Sequence, residues 1–255
     1  MTGQTSKIAL ITGGSRGLGR NTAESLARKG VDSVITYNSR ADEAHKVVAA
    51  IQAQGRKATA LQLDAGNTAT FAIFAQTLKR ALKETWGRER FDFLVNNAGT
   101  SHHASIENTT EAEFDALYNV HLKGVFFLTQ KLLPLINDGG RIVNVSSGLT
   151  RIIMPGSAPY GSMKGAVETL TKYMAKELGP RRIAVNVVAP GAIETDFSGG
   201  MVRDNPALNK HIADMTALGR VGKPDDIGPM IASLLSEDNR WVNAQRIEAS
   251  GGMQI

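Results

Sequence analysis

The chain contains no cysteine, so it can form neither a disulfide bond nor a metal site with thiolate ligands. No apolar run approaches the about 18 residues that a membrane-spanning helix needs. The N-terminus lacks the charged leader and apolar stretch of a signal peptide, and we therefore expect a cytoplasmic protein with no membrane partner. The net charge is +5, but no run of five basic residues occurs, which argues against a nucleic-acid partner.

The 255 residues alternate between short β-rich runs and longer stretches with helical periodicity. Apolar residues make up 42% of the chain and charged residues 21%, as in ordinary soluble globular proteins. Several β-rich runs are continuously apolar, which is typical of strands that are covered on both faces. We predict strands at residues 7–12, 33–37, 57–63, 91–95, 140–146, 182–189 and 245–249. We predict helices near residues 17–29, 40–54, 68–86, 110–136, 158–178 and 224–236.

This alternation predicts the α/β fold class, with a doubly wound (Rossmann-type) parallel sheet of seven strands and helices on both faces. No linker or repeat divides the chain, so residues 1–255 are expected to form a single domain. Residues 191–218 are rich in Gly, Asp, Asn and Pro and show only weak helical periodicity. A connection of this length is commonly functional, and we interpret it as a lid over the substrate.

A glycine-rich turn at residues 12–19 (TGGSRGLG) connects the first predicted strand to the first predicted helix. Backbone amides at such a helix N-terminus can bind the pyrophosphate of a dinucleotide. Gly13 would form the tight turn, Gly17 the close approach to the ligand, and Gly19 the packing of helix on strand. A glycine-rich turn without a ligand is the alternative, but the position after the first strand favours a dinucleotide.

The spacing Gly-x3-Gly-x-Gly is one of several motifs through which this chain resembles the short-chain dehydrogenase/reductase family. The resemblance runs from Lys7 to Gly252. Its other motifs are Asn-Asn-Ala-Gly at 96–99, Tyr160-x3-Lys164, Pro190-Gly191 with Thr195 nearby, Leu-Gly-Arg at 218–220, and Gly-Gly at 251–252. The resemblance implies a homotetramer that packs through the helices near 110–136 and 158–178 and through the C-terminal strand.

The end of the second predicted strand indicates which dinucleotide binds. Proteins that prefer NAD usually place an acid there for the ribose hydroxyls, whereas residues 37–40 read Tyr-Asn-Ser-Arg. Arg16 and Arg40 could both bind a 2′-phosphate, with Asn38 and Ser39 as neutral donors. The alternative is that both arginines are solvated surface residues. The sequence therefore predicts NADP.

The resemblance implies the remaining cofactor contacts. Asp64 matches a position that contacts the adenine, although an N-cap for the next helix is an alternative. Asn96 matches a residue that is as much structural as binding, and Thr195 matches one that bonds the carboxamide or the phosphates. The full predicted cofactor-binding set is Gly13, Ser15, Arg16, Gly17, Leu18, Gly19, Tyr37, Asn38, Ser39, Arg40, Asp64, Ala65, Asn96, Ala98, Gly99, Tyr160, Lys164, Pro190, Gly191, Ile193 and Thr195.

Tyr160 and Lys164 are four residues apart in a predicted helix, so their side chains share one face. Reduction of a carbonyl group by hydride needs a proton donor, and a cation within about 4–6 Å lowers the pKa of a phenol. The resemblance implies that Tyr160 is this donor, and that Lys164 supplies the cation and bonds the nicotinamide ribose. Ser147, rather than Ser146, lies at the family's distance from the tyrosine and is expected to hold the substrate oxygen.

One catalytic position departs from the family pattern. The segment at 120–126 reads VHLKGVF, so His121 stands where the family has an Asn that helps to hold water connected to the lysine. We expect His121 to lie near Lys164 and, if its imidazole delivers protons, to titrate near pH 6–7.

These features predict an oxidoreductase that transfers a hydride between NADPH and a ketone or aldehyde. Its expected partner is a small-molecule carbonyl or alcohol, held by residues 102–106, residues 149–154 and the lid. His102 and His103 have no matched third ligand, so no metal site is predicted. A 3-oxoacyl-thioester (acyl-carrier-protein) reductase has the same motifs and stays open as an alternative. A non-catalytic NADPH-binding regulator is a third alternative, but it would need no proton donor.

Overall fold

Seven parallel strands form one sheet in the computed structural model, which describes residues 6–255. In chain order they are β1 (Ile8–Ile11), β2 (Asp32–Tyr37), β3 (Ala58–Gln62), β4 (Phe91–Asn96), β5 (Ile136–Val145), β6 (Ala184–Pro190) and β7 (Arg246–Ala249). The strand order is β3-β2-β1-β4-β5-β6-β7, and each neighbouring pair is parallel. Residues 1–5 of the predicted domain lie outside the described residues.

Helices cover both faces of this sheet. They are α1 (Gly17–Arg28), α2 (Ala41–Ala53), α3 (Phe71–Trp86), α4 (Glu111–Tyr118), α5 (Gly124–Leu132), α6 (Ala158–Glu177), α7 (Met201–Asp204), α8 (Pro206–Asp214) and α9 (Pro224–Leu234). Apolar side chains of α1, α2 and α9 form a core on one face, and those of α3, α5 and α6 form a core on the other. The predicted doubly wound α/β fold is therefore confirmed.

The predicted helix at 110–136 is wrong in detail, because it is interrupted twice. A π-helical turn, Asn119–Lys123, separates α4 from α5. Pro134 lies in a 3₁₀ turn that ends α5, and β5 begins at Ile136 rather than at residue 140. Ile136 pairs with Phe91 ahead of a register shift, so a polar stretch that resembles a loop is part of the strand.

Residues 191–218 contain more helix than the sequence predicted. A 3₁₀ turn, Phe197–Gly200, is followed by α7 and α8. The side chain of Asn205 accepts hydrogen bonds from the N–H groups of Ala207 and Leu208, each at 3.1 Å, and Pro206 occupies the first turn of α8. The Asn and Pro that we interpreted as loop residues are therefore helix-start signals.

The strand order reverses between β1 and β4, which are neighbours in the sheet. The connections that leave these two strands run to opposite sides, and ligands of doubly wound proteins bind in the crevice that this reversal opens at the carboxyl ends. The predicted site residues follow the carboxyl ends of β1 to β6 or lie on α6 and the lid, so the topology brings them to one edge of the sheet.

Candidate active site

The loop between β1 and α1 is held against the end of β4. The Thr12 hydroxyl accepts a hydrogen bond from the N–H of Asn97 at 2.9 Å, and the Asn97 amide donates to the Thr12 carbonyl at 2.8 Å. A Cβ at Gly19 would come within 2.3 Å of the Gly13 carbonyl oxygen, so only glycine permits this close packing. Gly17 opens α1 with a φ of 55°, which other residues rarely adopt. The glycines let the backbone at the helix N-terminus approach a ligand closely, which fits a pyrophosphate.

Two exposed arginines stand at the helix starts beside the glycine-rich turn. Arg16 precedes α1 and Arg40 precedes α2, and neither side chain caps its helix. Both charges help to lower the pKa of Asp196 in the lid, after the larger effect of its hydrogen bond with Arg203. The two arginines therefore act on one region, and residues 37–40 bring no acid to it. This charge pattern fits a 2′-phosphate.

Two predicted cofactor contacts make hydrogen bonds within the protein. Asp64 accepts from the N–H of Gly66 at 2.9 Å, and a different residue caps the next helical turn, so the alternative N-cap role of Asp64 is wrong. The buried Asn96 amide donates to Thr129 at 3.1 Å and to Asn144 at 2.8 Å. The Asn96 side chain thus connects β4 to α5 and β5, which is a structural role.

The other predicted cofactor positions lie around the same crevice. They are Ser15 and Leu18 in the glycine-rich turn and α1, Tyr37, Asn38 and Ser39 at the end of β2, Ala65 after β3, Ala98 and Gly99 after β4, and Pro190, Gly191 and Ile193 at and after the end of β6.

Three of the four predicted catalytic residues, Ser147, Tyr160 and Lys164, lie together at the carboxyl end of β5. Tyr160 and Lys164 lie one turn apart on α6, and both are buried. Ser147 follows β5, and its hydroxyl accepts a hydrogen bond from the N–H of Leu149 at 3.2 Å and lies close enough to the Tyr160 phenol to influence its pKa. The hydroxyl of the neighbouring Ser146 instead donates to Glu168 at 2.7 Å. Of the two adjacent serines, Ser147 is the one that contacts the tyrosine.

Burial sets the charge state of the tyrosine and the lysine. It raises the pKa of Tyr160 above its usual value, and the nearby Ser147 hydroxyl opposes this rise only in part. Burial also lowers the pKa of Lys164 to about 7. Lys164 Nζ donates to the Val145 carbonyl at 2.7 Å and lies 5.6 Å from the centre of the Tyr160 ring. The net shift of the phenol pKa is therefore upward, opposite in direction to the lowering that we expected from Lys164, because loss of solvent dominates.

His121 lies in the π-helical turn with its ring against Tyr160. The two ring centres are 5.1 Å apart, and the planes are nearly perpendicular. His121 Nε2 lies 2.7 Å from the Thr100 carbonyl oxygen and 3.3 Å from the Thr100 backbone nitrogen, and the shorter contact, to an acceptor, favours the tautomer with the proton on Nε2. Nδ1 has no hydrogen-bond partner among the described residues. Burial, followed by the charge of Lys164, lowers the pKa of His121 to about 3. The expected titration of His121 near pH 6–7 is therefore wrong.

The lid brings to Tyr160 an aromatic residue that the sequence analysis missed. The ring centre of Phe197 lies 5.9 Å from that of Tyr160. Thr195 accepts a hydrogen bond from the N–H of Phe197 at 3.2 Å, and its side chain lies 3.8 Å from the place of a Cβ at Gly17. The lid thus contacts Tyr160 and the glycine-rich turn together. A signal was available, because residues 191–218 contain no other Phe, Tyr or Trp.

Residues 102–106, predicted to contact the substrate, lie beside Gly156, two residues beyond the other predicted segment, 149–154. The N–H of Ala104 donates to the Gly156 carbonyl at 3.0 Å. The His103 ring covers Gly156 so closely that a Cβ there would lie 2.4 Å from it. Ile106 and Ile153, one on each segment, are both 82% exposed. The rim formed by these segments therefore offers apolar surface.

A metal-binding cluster of three His, Asp or Glu side chains is not found among residues 6–255. His102 lies 3.4 Å from the Glu113 carboxylate, which makes a pair and not a ligand set. Within the same residues, no helix combines the length and the apolar character that crossing a membrane requires.

Comparison with known proteins gives matches along nearly the whole chain. A family described as enoyl-(acyl carrier protein) reductase matches residues 13–254. An uncharacterized oxidoreductase of Methylorubrum extorquens is 39% identical over 97% of this chain and 98% of its own length. The tetrahydroxynaphthalene reductase PfmaG of Pestalotiopsis fici is 35% identical over 96% of this chain and 91% of its own length.

Two similar solved structures are ketoreductases. The promiscuous reductase LugOII, which catalyses keto-reduction at C1 during lugdunomycin biosynthesis, is 38% identical with a TM-score of 0.93, over 98% of this chain and 99% of LugOII. The angucycline C-6 ketoreductase LanV, solved with bound NADP, is 38% identical with a TM-score of 0.92, over 99% of this chain and 97% of LanV.

Proposed function

The chain belongs to the short-chain dehydrogenase/reductase family and is an NADP-dependent carbonyl reductase, and we propose that its substrates are ketones on planar aromatic ring systems. The observation that carries this proposal is a buried proton donor, Tyr160, with Ser147 and Lys164 beside it and an aromatic lid residue against its ring. The similar proteins support it, because a naphthalene derivative and an angucycline are both fused aromatic ring systems.

We assign the cofactor to the crevice at the carboxyl ends of the strands. The glycine-rich turn at Gly17 would hold the pyrophosphate, and Arg16 and Arg40 would hold the 2′-phosphate. Lys164 and Thr195 border the same crevice and would hold the nicotinamide half. When bound, NADPH supplies the hydride for the carbonyl carbon.

The side chains around the carbonyl oxygen supply the proton. Because burial raises the pKa of Tyr160, its phenol is protonated at neutral pH and can donate to the oxygen as hydride reaches the carbon. Ser147 would hold that oxygen beside the phenol by a hydrogen bond of its own. The Lys164 cation, close to the ring face, would stabilise the tyrosinate that remains. The neutral His121 would position the Tyr160 ring and would not exchange protons.

The assembly, the location and the role of the lid complete the proposal. We expect a homotetramer in the cytoplasm, formed from single-domain subunits in which residues 191–218 close over the substrate. Aromatic side chains that α4 and α5 leave partly exposed support the assembly, because an interface with another subunit would remove them from water.

A panel of carbonyl compounds tests the proposed substrate class. NADPH consumption is measured with 1-tetralone, 2-octanone, acetoacetyl thioester and crotonyl thioester as substrates. We expect the highest kcat/KM for 1-tetralone, whose carbonyl carbon is bonded directly to an aromatic ring. Faster reduction of acetoacetyl thioester would favour the alternative 3-oxoacyl-thioester reductase. Faster reduction of crotonyl thioester would favour the enoyl reductase that the matching family's description names.

A further inference from the structure

The Tyr160 ring is held between two other rings that come from distant parts of the chain. His121 contacts it edge-on with 5.1 Å between ring centres. Phe197, from the lid, contacts it at 5.9 Å with the planes inclined by 54°. Both separations fall in the range of about 4.5–7 Å that is typical of aromatic pairs. Phe197 therefore places an aromatic ring next to Tyr160, the proposed proton donor.

The backbone around Phe197 fixes the place of its ring. Ser198 has a φ of 55°, and the two glycines that follow it are also left-handed. A serine in this conformation is strained, so the fold around it must hold the turn. On the other side, the N–H of Phe197 donates to the Thr195 hydroxyl, and Asp196 pairs with Arg203. Contacts within the lid therefore hold the Phe197 ring in place.

The same short turn also contacts the proposed cofactor site. The Thr195 side chain lies 3.8 Å from the place of a Cβ at Gly17, in the glycine-rich turn. The segment that carries Phe197 therefore lies against both Tyr160 and the glycine-rich turn. Phe197 is nevertheless 42% exposed, so its ring has a free face that Tyr160 does not cover.

We propose that Phe197 is a specificity-determining residue that stacks on the aromatic ring next to the substrate carbonyl. The proposal rests on the proposed function and deepens it. A carbonyl oxygen that accepts a proton from Tyr160 must lie within hydrogen-bond reach of the phenol. Because Phe197 contacts the Tyr160 ring, an aromatic ring bonded to that carbonyl carbon would then lie within contact distance of Phe197. An aliphatic ketone offers no π face there, so it gains less from this contact.

Substitutions at Phe197 separate the aromatic contact from simple bulk. Phe197→Leu keeps an apolar side chain but removes the ring, whereas Phe197→Tyr keeps the ring. We expect Phe197→Leu to lower the ratio of kcat/KM for 1-tetralone over 2-octanone by about 2- to 12-fold, the size of one aromatic pair. Phe197→Tyr should retain the ratio. Ile73→Ala removes an apolar side chain from α3, where it is 68% exposed, and should leave the ratio unchanged.

A binding measurement tests the same contact without turnover. Calorimetry with 2-naphthol, in the presence of NADP⁺, measures affinity for a planar ring that is not reduced. We expect the Kd for 2-naphthol to rise in Phe197→Leu by the factor by which the kcat/KM ratio for 1-tetralone over 2-octanone falls. The Kd should be unchanged in Phe197→Tyr and Ile73→Ala. A Phe197→Leu variant that binds 2-naphthol as tightly as wild type overturns the proposal. A wild type that does not prefer 1-tetralone contradicts the proposed substrate class instead, and the 2-naphthol affinities still decide the role of Phe197.

Discussion

At the scale of single residues, burial decides the chemistry of the site more than the spacing of charges does. Tyr160 and Lys164 lie where the motif predicts. Loss of solvent raises the pKa of Tyr160 and lowers the pKa of Lys164, and both shifts favour the neutral form of the side chain. Spacing along a helix predicts which side chains share a face, but it does not show how deeply that face is buried. The direction of the two pKa shifts could therefore not be predicted from the sequence.

The residue scale gives a prediction for the pH dependence of kcat/KM. The pKa of Lys164 is about 7, so the cation beside Tyr160 is present below that pH and is lost as pH rises through it. We expect kcat/KM to be highest below pH 7 and to fall above it. His121 has a pKa of about 3 and stays neutral from pH 5 to 9, so His121→Asn should retain the same ionisation.

Two variants separate the lysine from the histidine in this profile. Lys164→Arg keeps a cation that does not titrate in this range. We expect this variant to have a lower kcat/KM, with a pH profile that shows no ionisation near pH 7. His121→Leu should lower the rate without moving the ionisation, because it removes packing against Tyr160 and leaves Lys164 in place. Loss of the ionisation in His121→Asn, with its retention in Lys164→Arg, would assign the titrating group to the histidine and contradict this account.

At the scale of elements, the buried strands were predictable because their continuous apolar runs are a direct consequence of helices on both faces. The interruption between α4 and α5 was not, because the apolar pattern continues through the π-helical turn. The lid helices were missed for the opposite reason. Asn205 and Pro206 are common in loops and at helix starts alike, and only the contacts of the following residues distinguish the two.

The starts of α1 and α2 give a prediction for cofactor preference. Arg16 and Arg40 precede α1 and α2, and we propose that they bind the 2′-phosphate that distinguishes NADPH from NADH. We expect NADPH to be favoured in kcat/KM, and each substitution by Ala to reduce the preference by about 10- to 150-fold, since a hydrogen bond to a charged group contributes about 1.5–3 kcal/mol.

A third arginine serves as the control for these variants. Arg20 lies one turn further along α1 and is paired with Glu24 at 2.8 Å. Arg20→Ala should leave the ratio of kcat/KM for NADPH over NADH at the wild-type value. Equal use of the two cofactors by the wild type would refute the assignment of the 2′-phosphate site.

At the scale of the whole molecule, the proposed homotetramer predicts that exposed aromatic side chains are buried between subunits. Phe126 and Phe127 on α5 contact each other with 5.1 Å between ring centres, and both are about 40% exposed. We expect light scattering to give about 109 kDa, four times the 27.3 kDa of one chain. Phe126→Glu should lower this mass, because it places a charge in the interface, whereas Ile73→Glu on α3 should not. A monomeric wild type would be incompatible with the proposed assembly.

The central claim is that Tyr160 donates the proton to the substrate carbonyl, and Tyr160→Phe tests it most directly. The substitution removes the hydroxyl and keeps the ring that contacts His121 and Phe197. NADPH affinity is measured by fluorescence, and turnover is measured with the best ketone of the panel. We predict nearly unchanged NADPH affinity and a kcat lower by about 10²–10⁴-fold, the usual contribution of general acid catalysis. A variant that binds NADPH normally and retains more than about a tenth of the wild-type rate would contradict the claim.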